Sequence, residues 1–354
     1  MVDTCAADGL CAIACPVGID TGKWVKQTRA SNHRWLSRFL AKVAGRHWSY
    51  ALGMMRVGLR IGGAAPRLSH WASRAGRCVL GKEIVPLWEG TMPSAGKNRP
   101  KANHTQSPEA VYFPSCLEDV FAQSNHGVSA AFLELCEKAR CEIEIPTGVG
   151  DLCCSTPWAS KGFIDGRREI ASKTVRALFE ATHEGAIPVV VDASSCTHGL
   201  QEMPGSLNEA DLDLFRTLRI VDAVTFVAET LIDRLFVSKT SKSIVIHPTC
   251  STTHLGINSH LETLACQVSS DVTIPLSWGC CGFAGDRGLF HPELTDSATR
   301  QEATEISART YDYYVSANRT CEMAMQQATG KNLVHLLEVV NELSEISHED
   351  NHDP

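Results

Sequence analysis

The apolar positions beyond residue 110 form short runs and amphipathic stretches that occur in the same order twice. The first copy begins with the apolar run AVYF and continues through the helical AAFLELCEKA, the strand-like IEIP and the apolar IPVVV. The second copy repeats this order with SIVI, LETLACQ, VTIP and DYYVS. Strands that alternate with helices in an internal repeat predict two tandem α/β modules with parallel sheets.

Upstream of the repeat, the apolar positions follow a helical period instead. Trp35, Phe39 and Val43 recur at four-residue steps, which predicts amphipathic helices. A stretch rich in Pro, Ser, Asn and Lys is then typical of a linker before the repeat. The predicted organisation is a small α-helical domain over residues 1–63, a basic segment and linker over 64–109, modules over 110–235 and 236–345, and a disordered tail over 346–354.

The charge of the chain is unevenly distributed. The net charge is −7, yet thirteen basic residues and no acidic residue lie between Asp20 and Glu83, interleaved with four tryptophans. Such a segment predicts a basic docking face for an acidic partner subunit or an anionic membrane surface. No recognised nucleic-acid module accompanies it, so we expect no nucleic-acid binding. No glycine-rich dinucleotide or P-loop motif is present, which argues against NAD and ATP.

The 354-residue chain contains 15 cysteines and no run of eighteen uncharged apolar residues. Its N-terminus has neither the basic nor the apolar region of a secretion signal, and we expect no membrane-spanning helix. We therefore expect a cytoplasmic protein. A further expectation is that it contacts the inner face of the membrane peripherally. In a reducing compartment, so many cysteines indicate metal or redox chemistry rather than disulfides.

The first cysteine group lies at the N-terminus. Cys5, Cys11 and Cys15-Pro16 follow the C-x₂-C-x₂-C-x₃-C-P run of bacterial ferredoxins, except that Asp8 occupies the second position. Thiolates at this spacing converge on one [4Fe-4S] or [3Fe-4S] cluster. Asp8 is either a weak ligand of the fourth iron or a turn-forming residue before glycine. No second run of this kind exists in the chain, so either Cys15 joins the other two or a partner chain supplies the missing run.

Each α/β module brings a further set of four cysteines, which follow the strand-like runs. Loops at the carboxyl ends of parallel strands build sites, so each set is expected to converge. On count alone, four thiolates hold an iron–sulfur cluster or a zinc ion equally well. The predicted metal ligands are Cys116, Cys153, Cys154 and Cys196 in the first module, and Cys250, Cys280, Cys281 and Cys321 in the second.

Several residues outside these sets are candidates for supporting roles. His198 and His247 flank predicted ligands and are candidates to orient them, although a histidine at a strand end is also common as a structural residue. Arg287 is a candidate to hold an anion near the second set, or else a solvated loop residue. Cys136 and Cys266 lie at apolar helical positions and are predicted to be core thiols.

These motifs together resemble a known family. The repeated Cys…Cys-Cys-Gly…Cys pattern resembles the cysteine-rich CCG modules found in heterodisulfide reductases and in the iron–sulfur subunits of glycolate oxidases. The segments DTCAADGLCAIACPVGIDTG, LCCSTPWASKGF and WGCCGFAGDRG are similar to the C-terminal part of D-lactate dehydrogenases that contain FAD and iron–sulfur clusters. The fold this implies is a ferredoxin-like helical domain followed by two tandem α/β CCG modules.

The resemblance also implies a function. It implies an electron-transfer subunit, or the separated C-terminal part, of a flavin-dependent D-lactate (2-hydroxy acid) dehydrogenase. FAD is then bound by a partner subunit or domain, and a quinone or cytochrome accepts the electrons. The general CCG pattern ends in C-x-x-C, but Ala193 and Asn318 occupy the earlier positions here, and Ser155 replaces the first glycine. The alternatives are therefore a thiol–disulfide redox protein like heterodisulfide reductase and a zinc-stabilised interaction module.

Overall fold

The computed structural model describes residues 2, 4–82, 85–88, 92, 94–122 and 126–346. It begins with helices, of which α2 starts at the cap Asp20, whose carboxylate accepts from the Lys23 amide at 3.0 Å. The predicted tail lies outside these residues except for residue 346, and part of the predicted linker is outside them as well. The helices of the N-terminal region are α1 Leu10–Ala14, α2 Thr21–Asn32, α3 Trp35–Arg46, α4 Trp48–Ala64 and α5 Pro66–Leu80.

The first module is built on a four-stranded, fully parallel sheet with helices between the strands. The strand order is β2-β1-β3-β4, and Val111 in β1 is paired with Glu144 in β2 and with Val189 in β3. All residues of β1 and β3 are buried because helices cover both faces. The elements are β1 Ala110–Phe113, α6 Leu117–Val120, α7 Val128–Lys138, β2 Ile143–Glu144, α8 Thr156–Lys161, α9 Ile164–Ala181, β3 Val189–Val191, α10 Ser194–Gln201, α11 Glu209–Thr217, β4 Ile220–Asp222 and α12 Ala223–Phe226.

The second module repeats this topology. Its parallel sheet has the order β7-β6-β8-β9, and Val245 in β6 is paired with Thr273 and Tyr314. A separate antiparallel pair joins β5 to β10. The elements are β5 Leu235–Val237, β6 Thr240–Ile246, α13 Cys250–Leu255, α14 Asn258–Val268, β7 Ser269–Thr273, α15 Arg287–Phe290, α16 Pro292–Ser307, β8 Tyr313–Ser316, α17 Arg319–Thr329, β9 Leu333–His335, α18 Leu336–Glu342 and β10 Ser344–Ile346.

The predicted α/β fold with parallel sheets and a helical N-terminal region is confirmed. The repeat indicated three strands in each module, and the structure adds a fourth parallel strand to each sheet. Residues 66–80 of the predicted basic segment form a 15-residue helix, which begins at Pro66, a favourable first helical residue. Cys266 is exposed, contrary to its predicted place in the core, because the buried stripe of α14 runs through Leu261, Leu264, Ala265 and Val268. Cys136 is buried as predicted.

The two modules pack together where their strands end. Residues at the start of α10 contact the loops that follow β6 and β8: the Ser194 amide donates to the Ala317 carbonyl at 3.2 Å, and the Ser194 hydroxyl lies 3.1 Å from that of Thr249. The Ser195 hydroxyl donates to the Asn318 side chain at 2.7 Å. One apolar core runs through both modules. The carboxyl ends of the two sheets, where sites form, are therefore close to each other.

The N-terminal helices pack against the first module. Arg29 is buried, and its guanidinium donates to the carbonyls of Val2, Cys5 and Ser160, each at a shortest distance of 2.7 Å. Trp158 Nε1 donates to the Ala41 carbonyl at 2.8 Å. These contacts fix the first cysteine loop relative to the first module. Within the part of the chain that the structure describes, no helix combines the length and apolar character of a membrane span.

Candidate metal centres

The cysteines of the first module converge where the sheet ends. Cys116 follows β1, Cys153 and Cys154 lie in the loop after β2, and Cys196 is the third residue of α10. All four side chains are buried. Contacts between thiols link Cys116 to Cys153, Cys153 to Cys154, and Cys154 to Cys196. Asp192 holds this arrangement, since it accepts from the Ser115 amide beside Cys116 at 2.8 Å and directly follows the strand that leads to Cys196.

The thiols of this set differ in how readily they lose a proton. The neighbouring thiols of Cys153 and Cys196 and the Thr156 hydroxyl, 3.3 Å away, lower the pKa of Cys154 well below its usual value. Contacts with the other thiols, together with burial, raise the pKa values of Cys153 and Cys196 well above the usual range. Full ionisation of the four thiols therefore requires a bound cation.

The second module brings its four cysteines into a corresponding chain. Cys250 contacts Cys280, Cys280 contacts Cys281, and the Sγ atoms of Cys281 and Cys321 are 3.2 Å apart. Cys250 is the first residue of α13, and Thr249 caps that helix with a reciprocal hydrogen bond to Thr252. Cys321 is the third residue of α17, as Cys196 is of α10. The positive ends of these helix dipoles lie near the thiols, but the contact with Cys280 and burial still raise the pKa of Cys250 well above its usual value. Against the contact with Cys281, burial also raises the pKa of Cys321.

His247 belongs to the second cysteine set itself. Its ring lies within 4.8 Å of the sulfurs of Cys281 and Cys321, measured between ligand atoms, and all three residues are buried. Nδ1 is 2.8 Å from Oε1 of the buried Glu302, whereas Nε2 has no hydrogen-bond partner among the described residues. Burial lowers the pKa of His247, but the neighbouring Cys281 thiol and the bond to Glu302 outweigh it and raise the pKa to about 9. A histidine held by a carboxylate through one nitrogen is oriented to bind a metal through the other.

Asp8 lies beside the second module, and its Oδ1 also accepts from the Leu10 amide at 3.4 Å. Its carboxylate lies within 4.8 Å of the sulfurs of Cys250 and Cys280, which are also within 4.8 Å of each other. No such three-residue group within 4.8 Å includes Cys5 or Cys11 among the described residues. The position of the Asp8 carboxylate near these sulfurs depends on a contact between residues far apart in sequence, which the sequence did not indicate.

The first cysteine loop places backbone and hydroxyl donors around its thiols. The Thr21 hydroxyl donates to Cys11 Sγ at 3.1 Å, and this bond, with the Gly22 amide, lowers the pKa of Cys11. The backbone amides of Ile19 and Val17 lower the pKa of Cys15. Cys11 is exposed, and Cys5 and Cys15 are half-buried. The loop thus favours thiolates at its surface, as cluster ligation requires.

The two remaining candidates lie outside the ligand groups. His198 stacks on His254, with ring centroids 4.8 Å apart and planes inclined by 17°. Burial lowers the pKa of His198. Arg287 is the first residue of α15. His254 was missed at the sequence level, although its position one helical turn after Cys250 places both on the same face of α13.

The donor sets of the two modules fit a thiophilic metal centre. Each is a chain of four cysteines in which successive thiols are neighbours, and two or more of the four are buried. The second set adds a buried imidazole nitrogen that no described residue pairs. Iron–sulfur clusters and zinc both accept thiolate and imidazole ligands. All 15 cysteines, each of which lies among the described residues, are free thiols. The roles of the individual residues as ligands remain predictions.

A family model described as the cysteine-rich domain CCG matches residues 110–201 and 244–326. We call these two matched regions the first and the second CCG domain. The first CCG domain includes Cys116 to Cys196 and the second includes Cys250 to Cys321, so every predicted ligand of the α/β modules lies in a matched region. Together with the clustered cysteines, the CCG domains indicate iron–sulfur binding.

Related proteins match about two thirds of this chain over nearly their whole length. Lactate utilization protein A of Oceanobacillus iheyensis is 24% identical over 243 residues, which are 65% of this chain and 95% of that protein. Lactate utilization protein A of Bacillus licheniformis is 24% identical over 65% of this chain and 97% of that protein. Lactate utilization protein A 2 of Bacillus mycoides is 23% identical over 67% of this chain and 100% of that protein.

Among solved structures, an aspartate racemase homologue from Pyrococcus horikoshii aligns with 66% of this chain and 96% of its own at 13% identity. The TM-score is 0.26. A likeness of that size carries no conclusion about fold or activity.

Proposed function

We propose that this chain is the iron–sulfur, electron-transferring part of a flavin-dependent D-lactate (2-hydroxy acid) dehydrogenase. Its role is to receive electrons from FAD on a partner subunit or domain and to pass them to a quinone or cytochrome. The observation that carries the proposal is the convergence of four cysteines in each CCG domain, in a chain homologous to lactate utilization proteins. The flavin partner is inferred from the resemblance of the sequence to D-lactate dehydrogenases that contain FAD and iron–sulfur clusters.

Iron–sulfur clusters supply one-electron transfer when they are bound. The residues of this chain would hold them, set their environment and exclude water. Cys116, Cys153, Cys154 and Cys196 offer four sulfurs in a buried pocket of the first domain. In the second domain the corresponding set is less buried, since Cys250 and Cys280 are half-exposed. Burial and hydrogen bonds to sulfur set reduction potentials, so we expect the two centres to differ in potential.

The three centres would form a continuous route because the first cysteine loop touches the second domain. His254 Nε2 lies 2.6 Å from the carbonyl oxygen of Asp8, which is three residues from Cys5. The first domain also contacts this part of the second domain, since the ring of His198 stacks on that of His254. Cys11 and Cys15, at the outer end of this loop, are accessible to a partner. We therefore infer that electrons enter at the N-terminal loop.

The partner would dock on the apolar and basic N-terminal face. Among the described residues, eighteen of the 21 exposed large apolar side chains lie between residues 13 and 80. Exposed apolar area on this scale, with cationic side chains among it, is typical of a protein interface. Three of these residues, Ile13, Val17 and Ile19, adjoin Cys11 and Cys15. An acidic flavoprotein is thus a better occupant than lipid, because electrons must arrive beside those thiols.

The test is reconstitution of this chain with an FAD-binding 2-hydroxy acid dehydrogenase subunit, called the flavoprotein below. The chain purified anaerobically should be brown and contain iron and sulfide, and alone it should not reduce a dye with D-lactate. Addition of the flavoprotein should bleach its visible absorption once D-lactate is present. Oxidation of D-lactate by the chain without flavin would contradict the assignment. A colourless chain that contains zinc alone would favour an interaction module instead.

A further inference from the structure

We propose that the carboxylate of Asp8 is a metal ligand of the second CCG domain, so that this centre is completed by a residue from the N-terminal loop. The inference rests on the proposed function only in requiring a metal in that domain. It assigns Asp8 to a different centre from the one that its position between Cys5 and Cys11 indicates.

The geometry supplies the first argument. Ligand atoms of Asp8, Cys250 and Cys280 all lie within 4.8 Å of one another, a separation that one bound metal or one edge of a cluster spans. A second group, His247, Cys281 and Cys321, continues from it through the contact between Cys280 and Cys281. The six side chains thus form one uninterrupted set of donors.

The backbone around Asp8 is fixed by contacts with the second domain. The Asp8 carbonyl oxygen lies 2.6 Å from His254 Nε2 on α13, the helix that begins with Cys250. Gly9 adopts φ +81°, and a Cβ atom there would lie 3.1 Å from the imidazole of His254. Glycine adopts this conformation without strain, and a side chain at this position would require the His254 ring to shift by a few tenths of an ångström. The contact between the Asp8 carbonyl and His254 also positions the Asp8 carboxylate beside Cys250 and Cys280.

The chemistry supplies an independent argument. A carboxylate beside two sulfurs is unfavourable when the sulfurs ionise, since like charges within a few ångströms repel. A bound cation reverses this, because all three groups then become ligands. Thiolates favour iron and zinc, and an oxygen donor among them gives a weaker bond that exchanges more readily. Cys250, Cys280 and Asp8 are also the half-exposed members of the set, so the metal they hold would be the exchangeable one.

The corresponding cysteines of the first domain lack such a group. Cys116 and Cys153 are buried, and they belong to no three-residue ligand group within 4.8 Å among the residues that the structure describes. The two CCG domains therefore differ in their donor atoms as well as in burial. The difference arises from the docking of the N-terminal loop on one of them.

The experiment measures how strongly the full, metal-loaded chain retains iron and zinc against a chelator, under anaerobic conditions. Asp8→Ala should weaken retention of the second-domain metal by roughly tenfold or more, in the range seen for groups that support metal ligands. Asp8→Cys should restore retention and change the thiolate-to-metal absorption. Asp213→Asn, which removes an exposed carboxylate on α11, is the matched control and should have no effect.

Double variants identify the centre that Asp8 serves. If Asp8 and Cys280 bind the same metal, the losses caused by Asp8→Ala and Cys280→Ser should not add, whereas those caused by Asp8→Ala and Cys11→Ser should add. His254→Ala removes the docking contact and keeps the carboxylate, so its effect should be smaller than that of Asp8→Ala. Unchanged retention in Asp8→Ala, or additive losses with Cys280→Ser, would overturn the assignment.

The same measurements separate this inference from the proposed function. A chain that holds metal in the second domain but is not reduced by the flavoprotein would refute electron transfer and leave the role of Asp8 intact. A chain that the flavoprotein reduces, but whose metal retention does not depend on Asp8, would refute only the role of Asp8 as a ligand. A chain without any metal in the second domain would refute both.

Discussion

Ser155 and Gly282 occupy the same left-handed backbone conformation, with φ angles of 67° and 71°, directly after the paired cysteines of the two domains. Glycine adopts this conformation without strain, whereas a serine there costs about 1–2 kcal/mol. The Ser155 hydroxyl is also buried without a hydrogen-bond partner in the described part of the chain. The glycine of the CCG pattern is thus a conformational requirement of the turn that presents both sulfurs.

Ser155→Gly should therefore stabilise the first domain. Relief of strain and removal of the buried hydroxyl outweigh the entropy that glycine adds to the unfolded chain, for a net gain of about 1 kcal/mol. The reciprocal Gly282→Ser should destabilise the second domain, since a Cβ there would lie 3.1 Å from the Leu294 carbonyl oxygen and from Ala298 Cβ. Denaturant unfolding of both variants is the measurement. A loss of stability in Ser155→Gly would mean that the hydroxyl has a partner after all.

Cys281→Ser should remove metal from the second domain. Because metal binding is coupled to folding, the variant should also lose several kilocalories per mole of stability, roughly as other metal-stabilised domains do. Cys266→Ser is the matched control, since this thiol is exposed on α14, and its effect should stay within about 0.5 kcal/mol. Iron and zinc content by mass spectrometry, together with thermal unfolding, checks both. Equal metal content in the two variants would make the Cys281 thiol purely structural.

Asp222 makes stability depend on pH. Burial raises the pKa of this carboxyl from 3.8 to about 7, against the opposing bonds from the Thr197 hydroxyl and the Val224 amide. A carboxyl whose folded-state pKa is raised contributes stability below its unfolded pKa and loses it as pH rises, here between roughly pH 4 and 7. The unfolding free energy of Asp222→Asn minus that of the wild type should thus rise by roughly 2 kcal/mol from pH 5 to pH 8. If this difference in unfolding free energy stays constant across that range, the Asp222 carboxyl is in contact with water.

Val17→Glu should weaken docking of the flavoprotein. Val17 is 76% exposed beside Cys15, and a carboxylate there would repel an acidic partner. We expect a reduction of roughly tenfold in the rate of flavin-dependent reduction, the size of a typical interface residue. Leu276→Glu, at a site that is 95% exposed in the second domain, is the matched control. Cosedimentation with the flavoprotein and with anionic vesicles, at low and high salt, distinguishes the two docking partners. Equal effects of both substitutions, or salt-sensitive binding to vesicles alone, would contradict this surface assignment.

The sequence predicted the parallel sheets and the cysteines at their carboxyl ends because both follow from local patterns. The strand IPVVV leads into Cys196, and SIVI leads into Cys250, so the topology of a parallel sheet suffices to bring such loops together. The fourth strands, Ile220–Asp222 and Leu333–His335, are only three residues long and carry little periodicity. Short segments of this kind become strands because they pair with the edge of the sheet, and their own sequence pattern does not indicate it.

The position of Asp8 could not be predicted because it depends on docking between distant parts of the chain. His254, which holds the Asp8 backbone, is 246 residues away in sequence. The place of His247 among the ligand atoms likewise depends on Glu302, which orients its ring from α16. Periodicity and spacing report on neighbours in sequence, and these contacts join elements that only the tertiary fold brings together.

The pairing of β10 with β5, and the packing of α18 on α7, have a consequence for synthesis. Lys138 at the end of α7 donates to the carbonyls of Asn341 and Ser344, at 2.6 and 3.0 Å, so the last described elements cover part of the first domain. On the ribosome, the first domain would emerge long before its cover does. Its α7 surface and the open edge of β5 would stay exposed during that interval, as a target for chaperones, until residues 336–346 leave the exit tunnel.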